Sequence, residues 1–379
     1  MVAVEAQILT KVIERAGGKE KLRKRFKAID KWLRGEKHPT IRQLEELSRL
    51  SGIPFGYIII GHLSEPFDEL KMPFFRKGEG APPSVELVKL VRKNQLRVDF
   101  CSEYLRELGH EPVDFVGSLS TDTCPEDAAK LIREILELDI EWVKSFTTRK
   151  EALGFLRKKL EYKGVFVFMN SQLEDNTKAK LDPREFKGFA IADRYAPTIF
   201  VNTNTYISTQ IFTLVHEFVH VLLGESAISQ LSEEEFVNPE AEVERFCNRV
   251  AAAFLVPEEE LAGSVLDYKT LCQLSQDLKI SLLVILIRAY EKGLLKEQKF
   301  NELYSIYQTE FLKWLENEEK AEQGQGFPSW YTLKMNRLGK RFLKLAITAL
   351  ETRSIPPNHF YSLTGIKLSK VQKFKEFLN

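Results

Sequence analysis

The sequence predicts a mostly helical α+β protein, and three patterns predict it. Apolar residues recur at helical spacing in short segments between residues 7 and 60, through 85–108, 125–138, 149–162, 268–295 and 300–316, and again in the tail. Short β-branched and aromatic runs of strand type are confined to the middle of the chain, at 164–169, 189–192 and 198–201. Directly after them, residues 211–224 are apolar on nearly every face, which describes a helix buried in a core. At 379 residues the chain is long enough for two or three units, each burying a core of its own.

Residues 1–62 read as a compact all-helical unit with segments at 7–15, 19–26, 28–33, 41–50 and 55–60. Gly17-Gly18, Gly35, Pro39, Gly52 and Pro54 punctuate them, and Thr40 is placed to cap the helix starting at Ile41. Between Lys19 and Lys37 nine Lys or Arg face three acids, an excess that suits phosphate contacts through Arg23, Lys24, Arg25, Lys27, Lys31 and Arg34. The same excess fits a solvated basic face or a protein-docking module. Residues 63–86 have linker composition, rich in Pro and Gly. A helical connector follows at 87–150, built on amphipathic stretches at 85–108 and 125–138.

Residues 151–262 form the expected core. It opens on a helix over 149–162 with Thr148 as its cap, and the three strand-type runs make a small sheet against the helix at 211–224. An edge strand of that sheet would offer backbone groups to an extended peptide, and the sequence does not say which strand is the edge. Asn238-Pro239 then reads as a helix start, and the helix runs to Val256 before Pro257 stops it. The C-terminal region, 263–379, is helical again over 268–295 and 300–316. A second linker lies at 321–328, and a two-helix pattern turns at Gly365.

Chemistry concentrates at His216-Glu217-Phe218-Val219-His220. Two histidines four apart on a helix differ by about 40° in direction and one turn in height, so both imidazoles can bind one metal ion. The adjacent Glu217 can hold a water as general base. Burying two His and a Glu in so apolar a segment is costly unless they are paired or metal-bound. A third ligand is expected from the next helix. There Glu244 borders the apolar face of Val243, Cys247, Val250 and Phe254, in line with the small residues Cys247, Asn248 and Ala251. Glu242 points elsewhere and Glu240 lies one turn earlier, so Glu244 is the preferred ligand and Glu240 the reserve. His38, His62, His110 and His359 read as ordinary core or surface residues.

His216-Glu-Phe-Val-His220, followed 24 residues later by Glu244-Arg-Phe-Cys-Asn-Arg-Val-Ala-Ala-Ala-Phe-Leu-Val-Pro257, resembles the ImmA/IrrE family of metallopeptidases. Gly188-Phe-Ala-Ile-Ala-Asp193 through Ala196-Pro-Thr-Ile-Phe-Val-Asn202 also looks like the strands that precede the active helix in that family. The resemblance spans residues 188–257. It implies a zincin-like metallopeptidase core with a gluzincin-like ligand set: Zn2+ on His216, His220 and Glu244, with Glu217 as the catalytic acid/base. Members of that family cleave helix-turn-helix repressors, so it also implies such a repressor as substrate. Phe246-Cys247 stand where the family often carries acidic or small residues. Separately, the stretch from Ala28 to Pro54 resembles the Xre/Cro-type helix-turn-helix family, with an interval from Leu22 to Trp32 about four residues shorter than that family has.

The remaining composition sets limits. Net charge is +1 with 29% charged residues, so no polyelectrolyte character decides the partner. Cys101, Cys124, Cys247 and Cys272 are scattered without a C-x-x-C pair and read as reduced thiols. No apolar run reaches about 18 residues and no signal-peptide pattern opens the chain, so a cytoplasmic location is expected. The residues by themselves point to metal-assisted hydrolysis, and the resemblance implies a zinc endopeptidase that cleaves a helix-turn-helix repressor and so relieves repression in a stress or mobile-element response. Tyr195 and Tyr206 are candidate oxyanion donors that spacing does not choose between. The competing reading is a DNA-binding transcriptional regulator whose zinc fold is structural or sensory.

Overall fold

A computed structural model describes residues 4–53, 55–61, 74–75, 83–229, 241–262, 265–321 and 329–378. The chain is mostly helical around one small mixed sheet, as an α+β reading requires. Five short helices open it: α1 (Ala6–Arg15), α2 (Lys19–Arg23), α3 (Ile29–Leu33), α4 (Ile41–Ser51) and α5 (Phe55–Ile60). They close over a core of their own, in which Leu9, Val12, Ile29, Trp32, Leu44 and Leu47 are fully buried. Thr40 and Gln43 form a reciprocal capping box at the start of α4. α2 ends at Arg23, three residues short of expectation, because the chain turns there to drive Phe26 inward against Trp32, ring centroids 5.4 Å apart.

The sheet has the order β1-β5-β3-β4-β2, from β1 (Phe74–Phe75), β2 (Phe166–Asn170), β3 (Gly188–Ile191), β4 (Thr198–Asn202) and β5 (Ala227–Ser229). β3 is antiparallel to both neighbours, whereas β2 with β4 and β1 with β5 are parallel. Strands β2 to β4 were legible as apolar runs. β5 and β1 were not, being three and two residues long, and β1 arises inside the segment of linker composition.

Side chains alternate across the sheet, and both faces are covered. Val167, Met169, Ala190, Ile199 and Val201 face one core, which is shared with α7 (Pro125–Leu136), α8 (Arg149–Tyr162), α9 (Ile207–Leu223) and α10 (Glu242–Leu255). Phe166, Phe168, Phe189, Ile191 and Phe200 face the other, built with α6 (Val85–Glu107) and the C-terminal helices. After α10 come α11 (Glu258–Leu261), α12 (Tyr268–Asp277), α13 (Leu282–Glu291) and α14 (Glu297–Ala321). The expected single helix over 268–295 is two, broken where Lys279 takes positive φ and Ser281 caps α13 by accepting from Val284 N. The last four are α15 (Trp330–Leu338), α16 (Lys340–Glu351), α17 (Pro357–Thr364) and α18 (Val371–Leu378).

A buried polar clamp ties this second layer to the loop after β2. Arg97 on α6 donates to Glu174 (2.7 Å) and to Leu363 O (3.0 Å), while Lys334 on α15 reaches Asp175 (2.7 Å) and Thr364 O (3.1 Å). Among the described residues no single helix is long and apolar enough to cross a membrane.

Candidate metal centre

Helix α9 leaves the end of β4 and runs back under the sheet. Its first turn starts at Ile207, four residues before the apolar stretch, and it ends at Gly224 in the left-handed conformation that glycine adopts without strain. From Gln210 to Leu222 every residue is buried, the two histidines and Glu217 included, all three at 0% exposure. Such a helix holds its polar groups in fixed rotamers away from bulk water, which makes their mutual geometry decisive.

α10 packs across α9 and supplies the third group. It starts at Glu242; Asn238, Pro239 and the reserve ligand Glu240 lie outside the described residues. Glu244, Cys247, Asn248 and Ala251 are buried along the face toward α9, where the small volumes of the last three permit close approach. Glu244 Oε2 lies 3.2 Å from His216 Nε2 and Glu244 Oε1 lies 3.0 Å from His220 Nε2, while the two Nε2 atoms are 3.2 Å apart. Two imidazole nitrogens and the two oxygens of one bridging carboxylate, from two helices, thus converge with neighbouring separations of 3.0–3.2 Å. Ligands bound tetrahedrally to zinc at about 2.0–2.2 Å stand roughly 3.3 Å from one another, so these separations have the size expected within such a shell. Despite its 3.0 Å contact, Glu244 Oε1 makes no aligned hydrogen bond, as expected of lone pairs directed at a shared point.

Electrostatics agree with that assignment. Burial holds the His216 imidazole below its usual pKa, against the pull of Glu244, so the ring stays neutral as a ligand must. Burial works against ionising Glu244, but the two imidazoles outweigh it and bring its carboxyl down to about 2. Glu217 has the opposite character. Burial first, and the Glu244 charge second, push its carboxyl well above the ordinary range, with the Ser229 hydroxyl pulling weakly the other way. Neither Glu217 oxygen has an aligned hydrogen-bond partner. A buried acid without one is costly, and a nearby cation would remove that cost. The residues present therefore fit a bound divalent cation.

Cys247 also approaches, its Sγ within 4.8 Å of a ring nitrogen on each histidine. Burial, with Glu244 and Glu217 adding, keeps its thiol protonated far above its usual pKa, whereas Glu244 is ionised and in direct contact. The carboxylate is the better third ligand. Three further residues shape the site. Gly188 lets β3 approach: a Cβ there would sit 2.6 Å from Thr213 Cγ2, 2.8 Å from Glu217 Oε1 and 2.8 Å from Phe200 O. Ser229 on β5 and Asn248, one turn after Glu244, face Glu217 and His216 respectively. Asn248 was legible from its spacing, whereas Ser229 belongs to a strand too short to see.

The two candidate tyrosines lie outside the helix that carries the histidines. Tyr206 precedes α9, about 15 Å along the helix axis from His216, and Tyr195 lies in the β3–β4 turn with the Arg106 guanidinium over its ring at 4.6 Å. The six candidate phosphate contacts, Arg23, Lys24, Arg25, Lys27, Lys31 and Arg34, are all exposed, and three are engaged by acids of the same unit: Arg23 with Glu20 and Asp30, Arg25 with Glu46, and Arg34 with Glu36.

Residues 160–290 match the family model of the IrrE N-terminal-like domain, peptidase family M78. The matched segment runs from the end of α8 to α13 and so contains the sheet from β2 onward, α9 and α10. The match supports a metallopeptidase of the IrrE/ImmA type. Comparison of the chain with curated proteins finds no match.

Proposed function

We infer that this chain is a zinc endopeptidase whose substrate is a helix-turn-helix transcriptional repressor, cut so as to relieve repression in a stress or mobile-element response. The convergence of His216, His220 and Glu244, with Glu217 buried beside them, carries the hydrolytic part. The likeness of the two helix motifs to the ImmA/IrrE family supports the repressor as substrate. In this reading residues 151–262 are the catalytic core, 1–62 a helix-turn-helix unit able to contact DNA, 63–86 a linker, 87–150 a connector and 263–379 a helical C-terminal region.

His216, His220 and Glu244 would hold Zn2+, two neutral imidazoles and one carboxylate leaving a net positive centre. When bound, zinc supplies a Lewis acid that polarises the scissile carbonyl. The other steps belong to the chain. Glu217, with proton affinity raised by burial, takes the proton of the attacking water and returns it to the leaving amine. The apolar walls of α9 and α10 keep bulk water from competing, and Gly188 keeps the Glu217 carboxyl unobstructed on its sheet side.

The test is a Glu217→Gln protein assayed on a candidate repressor. Zinc content stays at the unaltered level and cleavage falls by about two to four orders of magnitude. Undiminished cleavage removes the mechanism. Zinc retention with no cleavage by either protein favours a regulator whose metal site is structural or sensory.

A further inference from the structure

One row of paired residues crosses the whole sheet at the level of the catalytic acid. Met169 of β2 pairs with Val201 of β4, Val201 with Gly188 of β3, Gly188 with Ser229 of β5, and Ser229 with Phe75 of β1. Glu217 lies against the middle of that row, within 2.8 Å of a Cβ built on Gly188 and close enough to Ser229 for its hydroxyl to act on the carboxyl. β5 is therefore the strand beside the acid on the side away from β4. Its inner backbone edge is taken by β3, and its outer edge is where an incoming extended peptide would add as a further strand, about 4.8 Å from β5 and roughly 10 Å from Gly188.

That outer edge is occupied by the chain itself. Phe74 and Phe75 pair with Ile228 and Ser229 in parallel. We propose that residues 74–75 hold the peptide-docking edge of the catalytic sheet, so that an extended substrate segment binds by displacing them. The proposal rests on the peptidase reading for its consequence, but the docking edge itself is defined by strand pairing alone.

The energetics suit a displaceable plug. A two-residue ladder makes few hydrogen bonds, each of small net value, and parallel pairing is slightly weaker per residue than antiparallel. Pro73, directly before the strand, has no N–H to extend it. What keeps so short a strand in place is tethering. Nine residues after Phe75, Ser84 caps α6, and its amide and hydroxyl are both held by Glu185 at 2.6 Å. On the other side the chain leads back to the N-terminal helices, where Arg92 of α6 donates to Gly52 O (3.2 Å), so the strand is covalently joined to packed structure in both directions. A tethered segment competes at a high effective concentration, which a separate peptide must overcome. An unoccupied β5 would instead expose unpaired backbone groups to any chain.

The experiment uses the full chain and a fluorescein-labelled synthetic peptide copying residues 70–80, in a Glu217→Gln background so that nothing is cut. Replacing both Phe74 and Phe75 by proline removes the backbone donors of β1 without touching the metal residues. The labelled peptide should bind this variant about tenfold more tightly than the parent, and amide exchange at Ala227–Ser229 should quicken in the variant and slow again when peptide is added. Equal affinity for the two proteins, or binding to neither, overturns the proposal. A second measurement needs no substitution at β1: saturating peptide should quicken exchange in the 74–75 segment of the parent, and unchanged exchange there also overturns it. Because binding and exchange require no hydrolysis, absence of repressor cleavage by the unaltered chain would sink the peptidase reading while leaving the docking edge standing.

Discussion

A side chain on Gly188 would place its first carbon 2.8 Å from Glu217 Oε1, so the central strand reaches the acid only because residue 188 is glycine. Two of the three clashing neighbours, Phe200 O and the Thr213 methyl, belong to paired backbone and a packed helix and have little room to yield. Gly188→Ala is therefore expected to destabilise the fold by about 1–3 kcal/mol and to lower hydrolysis beyond what the lost folded fraction explains. Gly154 on α8 is the control. A Cβ there meets nothing within 4 Å, and alanine should stabilise by up to about 1 kcal/mol. Chemical denaturation of both variants checks the pair.

Chelation should cost stability as well as activity. A cation held by His216, His220 and Glu244 binds only where α9 and α10 are packed, because the unfolded chain separates Glu244 from His220 by 24 residues. At free zinc one hundred times the dissociation constant the linked stabilisation is about 2.7 kcal/mol. Calorimetry with and without chelator should show a fall in the unfolding midpoint for the unaltered chain and almost none for Glu244→Ala.

For the N-terminal unit, the ion pairs of Arg23, Arg25 and Arg34 with neighbouring acids shift the expected DNA contact toward Lys24, Lys27 and Lys31. Each phosphate contact contributes about 0.9 to the slope of log affinity against log salt. Replacing the three lysines by alanine should therefore flatten that slope by about 2.7 in a mobility-shift series. An unchanged slope removes DNA contact through this face.

Much of this was readable before any coordinates. Long-period signals carried the helices, and the caps at Thr40 and Thr148 sit where the sequence put them because a hydroxyl three residues before a Gln or Glu is a local device. The face of α10 was equally legible, since Glu244, Cys247, Asn248 and Ala251 follow helical spacing. What escaped was non-local. Ser229 and Phe75 are strand residues through pairing alone, in runs of three and two that no periodicity can reveal. The coverage of the second sheet face by the C-terminal helices rests on contacts such as Phe168 with Phe342, 5.2 Å between ring centroids and far apart in sequence. The break at Lys279 was hidden because a lysine holds the positive φ there, with no glycine or proline to mark the turn.

The most direct test is the zinc content of three purified proteins: the unaltered chain, Glu217→Gln and Glu244→Ala. Because Glu244 spans both imidazoles at 3.0–3.2 Å while Glu217 stands beside them, the first two should carry equal zinc and the third should lose most of it. Full zinc in Glu244→Ala, or its loss in Glu217→Gln, would contradict the assignment of the site.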